Sequence, residues 1–313
     1  MKKLISFALA LILAMAVLPA LAEAETPLRV GALKGPTSMG LVKLMKDQEG
    51  QADYAFTLAA SPDALLPELV RGGLDVACLP VNLAAILYAN TKGAVRVVNV
   101  NTLGVLYIVE RGESVQSLSD LKGRTLYASG KASTPEYVLN HLLKQAGIEG
   151  VDIQWKAEHA EALAALMSDP AAIAMLPQPF VTVAQSKSPD IRIALDLNKE
   201  WENLGQGSLI TGVTVARADV IKNQPEKLAK FLEGYKTSVE YVTANNKEAA
   251  QLIGEFDIIN AQAAEKALPY CGITFQAGEE MVALLKPFYQ MLFDSNPETT
   301  GGSLPDDAFY YAP

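Results

Sequence analysis

The residues with the strongest claim to chemistry lie in the stretch YASGKASTPEYVLNHLLKQ, residues 127–145. Lys131, Ser133 and Thr134 sit between Gly130 and a proline, Pro135, that opens an apolar-periodic run. Three chemistries use such a set: phosphate binding, acyl transfer by a serine, and polar recognition at the lip of a cleft. A phosphate loop of the form G-x-x-x-x-G-K-[ST] needs a glycine at 125 and a hydroxyl at 132. The chain has Thr125 and Ala132. Acyl transfer needs a base beside its nucleophile, and only two histidines exist, His141 within a helical pattern and His159 at an exposed helix start, AEHAEA. Ser208 in GQGSLITG has Gln206 and Ile210 where G-x-S-x-G has glycines. Neither histidine belongs to H-E-x-x-H, and no carboxylate cluster has metal-ligand spacing. No catalytic residue, metal or cofactor is expected.

Polar recognition has more support. Pro36-Thr37-Ser38, Ser61-Pro62, Pro80-Val81-Asn82, Thr134-Pro135 and Pro177-Gln178-Pro179 each follow a strand pattern and open a helix pattern. In an open α/β sheet such junctions share one edge, where ligands bind. Unpaired N–H groups and the positive dipole end suit that edge to anions or polar acceptors. The expected ligand contacts are Thr37, Ser38 and Asn82, then Asn101 and Thr102, and across from them Lys131, Ser133, Thr134 and Gln178. Thr134 is expected to cap its helix, with Pro135 as first helical residue. Lys34 and Lys131 would attract a carboxylate or sulfonate from facing lips, and Tyr127, Phe180 and Trp201 would stack on a flat ring.

The elements that position these residues alternate. LRVGALKG (28–35), ADYAFTLAA (52–60), LDVACLPVN (74–82), VRVVNVN (95–101), LGVLYIVER (103–111) and RTLYASG (124–130) read as strands. Between them, residues 37–48 have helical spacing, and a helix from Ser61 to Gly72-Gly73 carries Pro67 inside it, where a kink is expected. Asn82 is placed to cap the helix LAAILYAN. After GVTVARADVI the chain reads as mainly helical from Pro225 to Phe293. Alternation of this kind indicates an α/β protein with mainly parallel sheets. DVACLPVNLAAILY and AIAMLPQPFVTVA echo one another as strand, Leu-Pro, polar residue and helix, as though two similar lobes follow in turn.

Of 313 residues, 50% are hydrophobic and 19% charged, which is a globular composition. A net charge of -9 with scattered basic residues excludes a nucleic-acid footprint. Lys2 and Lys3, the apolar run Leu4 to Leu18 and the small-residue sites at Ala20–Ala24 form a secretory signal peptide over residues 1–25, with cleavage near Ala22 or Ala24. Cys78 and Cys271 are expected as free thiols.

LRVGALKGPTSMGLVKLM, LPELVRGGLDVACLPVNLAAILY, SLSDLKGRTLYASGKASTPEYVLNHLLKQAGI, MLPQPFVTVA and the ending LPDDAFYY resemble, in order and spacing, the bilobed substrate-binding proteins of ABC importers. The similarity is greatest to the nitrate/sulfonate/bicarbonate and thiamine-pyrimidine-precursor branch. It implies a type II periplasmic-binding-protein-like fold, two sheets flanked by helices and hinged by two crossing segments. One lobe would comprise residues 26–107 and 211–313 and the other 108–210, with crossings at LGVLYIVER and LITGVTVAR. The resemblance also implies an exported monomer that captures a small organic or anionic solute and delivers it to ABC permease subunits in the membrane. Two departures stand out. The lipoprotein cysteine at the mature start is missing, and no basic cluster commits the cleft to sulfonate or nitrate. The reading from a different class is a biosynthetic enzyme on the same scaffold, making pyrimidine or menaquinone precursors. Export and the shortage of histidines speak against it.

Overall fold

The computed structural model describes residues 26–313 except Gln206, so the expected signal peptide lies outside the described residues. Among the described residues, no helix is long and apolar enough to cross a membrane.

Two sheets organise the chain. The first contains β1 (Leu28–Leu33), β2 (Tyr54–Ala59), β3 (Val76–Pro80), β4 (Val95–Leu103), β10 (Ile210–Arg217) and β11 (Ile273–Gln276), in the order β11-β4-β10-β3-β1-β2. The second contains β5 (Leu106–Arg111), β6 (Thr125–Ser129), β7 (Asp152–Lys156), β8 (Ile173–Pro177) and β9 (Ile191–Asp196), in the order β7-β6-β8-β5-β9. β3 and β8, the two strands of the echoed Leu-Pro segments, are buried nearly throughout because helices cover both faces of their sheets. Each lies between a parallel neighbour and a reversed one: β3 between β1 and β10, β8 between β6 and β5. The echo is therefore structural. Omitting β11, the sheets correspond strand for strand.

The sheets are mixed where mainly parallel ones were expected: β1–β2, β1–β3, β6–β7 and β6–β8 pair in parallel, while the remaining pairings are antiparallel. The physical reason is the crossing. β5 and β10 arrive from the other sheet, so they begin where the sheets face each other and run away from that edge. β1, β3, β6 and β8 end there.

Several local expectations change. The helix read over 37–48 divides into Pro36–Met39 and Val42–Asp47 at Gly40, which packs so closely on Val239 and Tyr235 that a Cβ would stand 3.0 and 3.3 Å from them. Pro67 does not kink a helix. The segment splits into a 3-10 turn, Pro62–Ala64, and a helix, Leu66–Arg71, with Pro67 in its first turn, where a missing N–H costs nothing. Asn82 is not a cap, because the helix Val81–Asn90 already begins one residue earlier after Pro80. β11 interrupts the C-terminal helical region, which otherwise holds Pro225–Ala244 and Gly278–Ser295.

Trp201, expected near the cleft, is a core residue. Its ring packs at 5.6 Å on Phe288 and 5.3 Å from His141. Phe288 belongs to the helix Gly278–Ser295, so this contact ties the C-terminal region to the helices around the second sheet, within one continuous apolar cluster. Both cysteines are buried and free, and burial pushes the Cys78 thiol up to about 11 and that of Cys271 to about 12.

Candidate functional site

The strand ends of both sheets converge on a cleft of about 150 Å³. Leu33 at the end of β1, Pro80 of β3 and Thr102 of β4 face Gly130 after β6 and Pro177 of β8, with Val105 and Leu106 at the crossing below. The cleft is smaller than the roughly 300–1,000 Å³ typical of drug-sized sites, which fits a small solute. A wider groove of about 530 Å³ at Asp53, Tyr54 and residues 223–230 draws nothing from the second sheet.

Of the residues singled out from sequence, Thr37, Thr102, Ser133, Thr134 and Gln178 line this cleft. Ser38, Asn82 and Asn101 do not: they are buried just behind its wall. The Ser38 hydroxyl donates to the Gly35 carbonyl at 3.1 Å. Asn101 donates to Thr214 Oγ1 at 3.1 Å, and its Oδ1 accepts from Thr102 at 2.9 Å. Asn82 bridges the two sides of the cleft. Its Oδ1 accepts from Thr134 Oγ1 at 2.9 Å and its amide donates to the Ala132 carbonyl at 3.4 Å. Both bonds join the helix after β3 to the loop after β6, and hence one sheet's surroundings to the other's.

Lys131 is exposed and outside the cleft lining. Lys34 does line it, with its ammonium 2.7 Å from Asp257. Thr134 is not the helix cap. Ser133 takes that position with extended backbone, and Thr134 is the first residue of the helix Thr134–Gln145. Ser133 does not cap through its side chain; its hydroxyl donates to the Gly130 carbonyl at 2.8 Å. That reach needs the tight turn at Gly130, whose φ of 86° suits glycine. Tyr127 lies away from the cleft beneath Lys156, and Phe180 is the aromatic residue that reaches it.

His159 is not the exposed helix start that its local sequence suggests. It opens the helix His159–Ser168 after β7, lines the cleft, packs 5.2 Å from the Phe180 ring, and holds Ser129 Oγ at 2.5 Å from Nδ1. Burial pushes its pKa down to about 4, so the ring is neutral at neutral pH. The signal that finds it is the one used for the other contacts, a strand followed at once by a helix start, here VDIQWKA and EHAEALAAL. Glu158 lines the cleft beside it.

A histidine beside a serine is half of a nucleophilic set, but a base must in turn be oriented by a third group. Among the described residues the hydrogen bond and ring contact of His159 go to Ser129 and Phe180, neither of them an acid. No group of three or more acidic, histidine or cysteine side chains able to hold a metal occurs among the described residues.

Two similar sheets that meet over one cleft define the fold of the periplasmic binding proteins. A crystal structure of an ABC transporter from Parabacteroides distasonis superposes with a TM-score of 0.77 at 23% identity, covering 92% of this chain and 99% of that one. The periplasmic aliphatic sulphonate binding protein SsuA from Escherichia coli gives 0.73 at 18% identity over 92% of each chain. The ligand binding component of an ABC-type import system from Staphylococcus aureus gives 0.72 at 15%, over 92% and 97%. No curated protein matches the chain. The family model NMT1/THI5 like matches residues 85–249, and the chain belongs to that family.

Proposed function

We propose that the protein is an exported solute-binding component of an ABC importer, which traps a small molecule between two lobes and presents it to permease subunits. The observation that carries this reading is the cleft itself, built from strand ends of two corresponding sheets that are joined by two crossings. The lobes we assign are residues 26–107 with 211–313, and residues 108–210. The chain passes between the sheets at Leu103–Leu106 and between Asn203 and Ile210, close to those boundaries. The signal peptide read over residues 1–25 supports a place outside the cytoplasm. Thr37, Thr102, Ser133, Thr134, Gln178, His159 and Phe180 form the contact set, with Asn82 fixing Thr134 and Asn101 fixing Thr102 from behind.

Native mass spectrometry of the purified mature chain tests the reading. One small molecule per chain is expected, and it should be lost on replacing Gln178 by Ala while the fold is kept. A wild-type protein that neither retains nor takes up any small molecule would overturn it.

A further inference from the structure

The cleft wall is short of hydrogen-bond donors, for three independent reasons. First, its hydroxyls have spent their protons inside the protein. Thr37 donates to Leu33 O at 3.0 Å, Ser133 to Gly130 O at 2.8 Å, Thr134 to Asn82 Oδ1 at 2.9 Å and Thr102 to Asn101 Oδ1 at 2.9 Å. In this arrangement each presents its oxygen lone pairs to a ligand. Turning the last two toward a ligand would strip Asn82 Oδ1 and Asn101 Oδ1, both buried, of the only donors they have among the described residues. A buried acceptor without a donor is costly, so these protons stay where they are.

Second, prolines occupy backbone positions where helix starts would otherwise present N–H groups. Pro36, Pro62 and Pro135 stand in the first turn of a helix or 3-10 turn and Pro80 at a helix cap, Pro177 ends β8, and all five line the cleft without a backbone donor. Third, the loops that open the two flanking helices are already occupied by the chain's own carboxylates. Glu136 accepts from Ala132 N at 2.6 Å, and Glu161 accepts from Ala157 N at 3.0 Å. An incoming anion meets negative charge where a helix start would ordinarily attract it. The donors left are Ser61 at the rim, Thr211 with a 3.4 Å bond to the Thr102 carbonyl, the Lys34 ammonium, and the His159 ring, one nitrogen of which lies outside the Ser129 bond. To these is added the Gln178 amide, whose oxygen accepts from Thr182 Oγ1 at 2.9 Å and leaves its NH₂ for the cleft. Lys34 is balanced by Asp257, and Glu158 adds a carboxylate.

We propose that the cleft selects a neutral or cationic solute that donates hydrogen bonds, with an apolar face for Phe180, and rejects oxyanions such as sulfonates. The proposal rests on the solute-binding reading above and narrows its ligand class. It differs from the anionic preference expected from lysines and helix starts alone.

The test is to equilibrate the mature chain, stripped by unfolding and refolding, with the low-molecular-mass fraction of yeast extract, and to identify what it retains by mass spectrometry in both polarities. Benzamidine and benzenesulfonate, which share a ring and differ in donor and charge, are then titrated as competitors against the retained solute. The expected result is a retained solute with N–H or O–H donors and no net negative charge, displaced at least tenfold more readily by benzamidine. The double variant Glu136→Ala, Glu161→Ala should narrow that ratio by admitting benzenesulfonate. Retention of an acceptor-only anion, lost in Gln178→Ala, would overturn the proposal and leave solute binding intact. Retention of nothing would overturn both.

Discussion

The bond from Thr134 to Asn82 is the most exacting single contact of the site, since both residues are fully buried. Thr134→Val keeps the shape and removes the donor, which leaves Asn82 Oδ1 unsatisfied. Such a loss costs roughly 1–3 kcal/mol, so thermal unfolding should come clearly earlier. Thr37→Val, at a part-exposed site, should shift it less. Equal shifts in the two variants would show that Asn82 finds another partner. His159 gives a second, pH-dependent outcome. Its folded pKa of about 4 lies below the ordinary value near 6.5 because burial disfavours the charged ring. Between those two values the unfolded chain binds a proton that the folded chain refuses. Stability is therefore intact above about pH 6.5 and is lost as the pH falls toward 4, at a rate of at most about 1.4 kcal/mol for each pH unit crossed. Melting temperatures measured across that window should fall less steeply for His159→Gln than for the wild type. Parallel curves would mean that His159 does not set the acid limb.

Elements were legible where burial dictated them. VACLP and IAMLP read as strands because a sheet covered on both faces needs unbroken apolar runs, and both are strands in the interior of their sheets. Helix starts disclosed much of the cleft for an equally local reason, the order strand, proline, polar residue. What stayed hidden depended on partners distant in sequence. Gly40, where the helix divides, has room for no side chain against Val239 and Tyr235, some 200 residues away. Asn82 looks like a cap until Thr134 is placed against it. Ser38 and Lys131 satisfy the same local rule as Thr37 and Ser133, and Asn101 ends the same kind of strand as Thr102, yet only the packed sheets show which side chains reach the cleft. β10 shows how tightly an element can be fitted at this point. A Cβ on Gly212 would stand 2.5 Å from Asn101 Oδ1 and 2.9 Å from both Thr102 Oγ1 and Thr37 Cγ2. Gly212→Ala should therefore cost about 1–3 kcal/mol, the usual range for overpacking, and weaken solute binding as well, because two contact residues shift. Denaturant titration and calorimetry on the same sample check both. A stability loss with unchanged affinity would mean that the displaced side chains do not touch solute.

At the scale of the whole molecule the contacts between the two halves are unequal front and back. Behind the crossings, Trp201 against Phe288 belongs to a continuous apolar cluster. At the cleft, Asn82 holds the opposite wall through one good hydrogen bond and one long one. The first crossing passes through Gly104 and Val105, with φ of 68° and 81°. For a β-branched residue that conformation is an outlier, and such outliers gather at switch regions. An apolar cluster at the back, the Asn82 bonds at the front and a strained link between them favour rotation about the back as the motion between the halves. Asn82→Ala removes the latch while keeping every cleft-lining residue, although it frees the Thr134 hydroxyl. A net loss near 1 kcal/mol would shift the balance between open and closed forms about fivefold toward open. Apparent affinity would fall by up to the same factor, because binding then has to draw on a rarer closed form. Small-angle scattering should show the solute-free variant more expanded than the solute-free wild type, and saturating, verified solute should bring both to the same compact profile. Four identical profiles would mean that the halves do not move and that solute enters a rigid cleft.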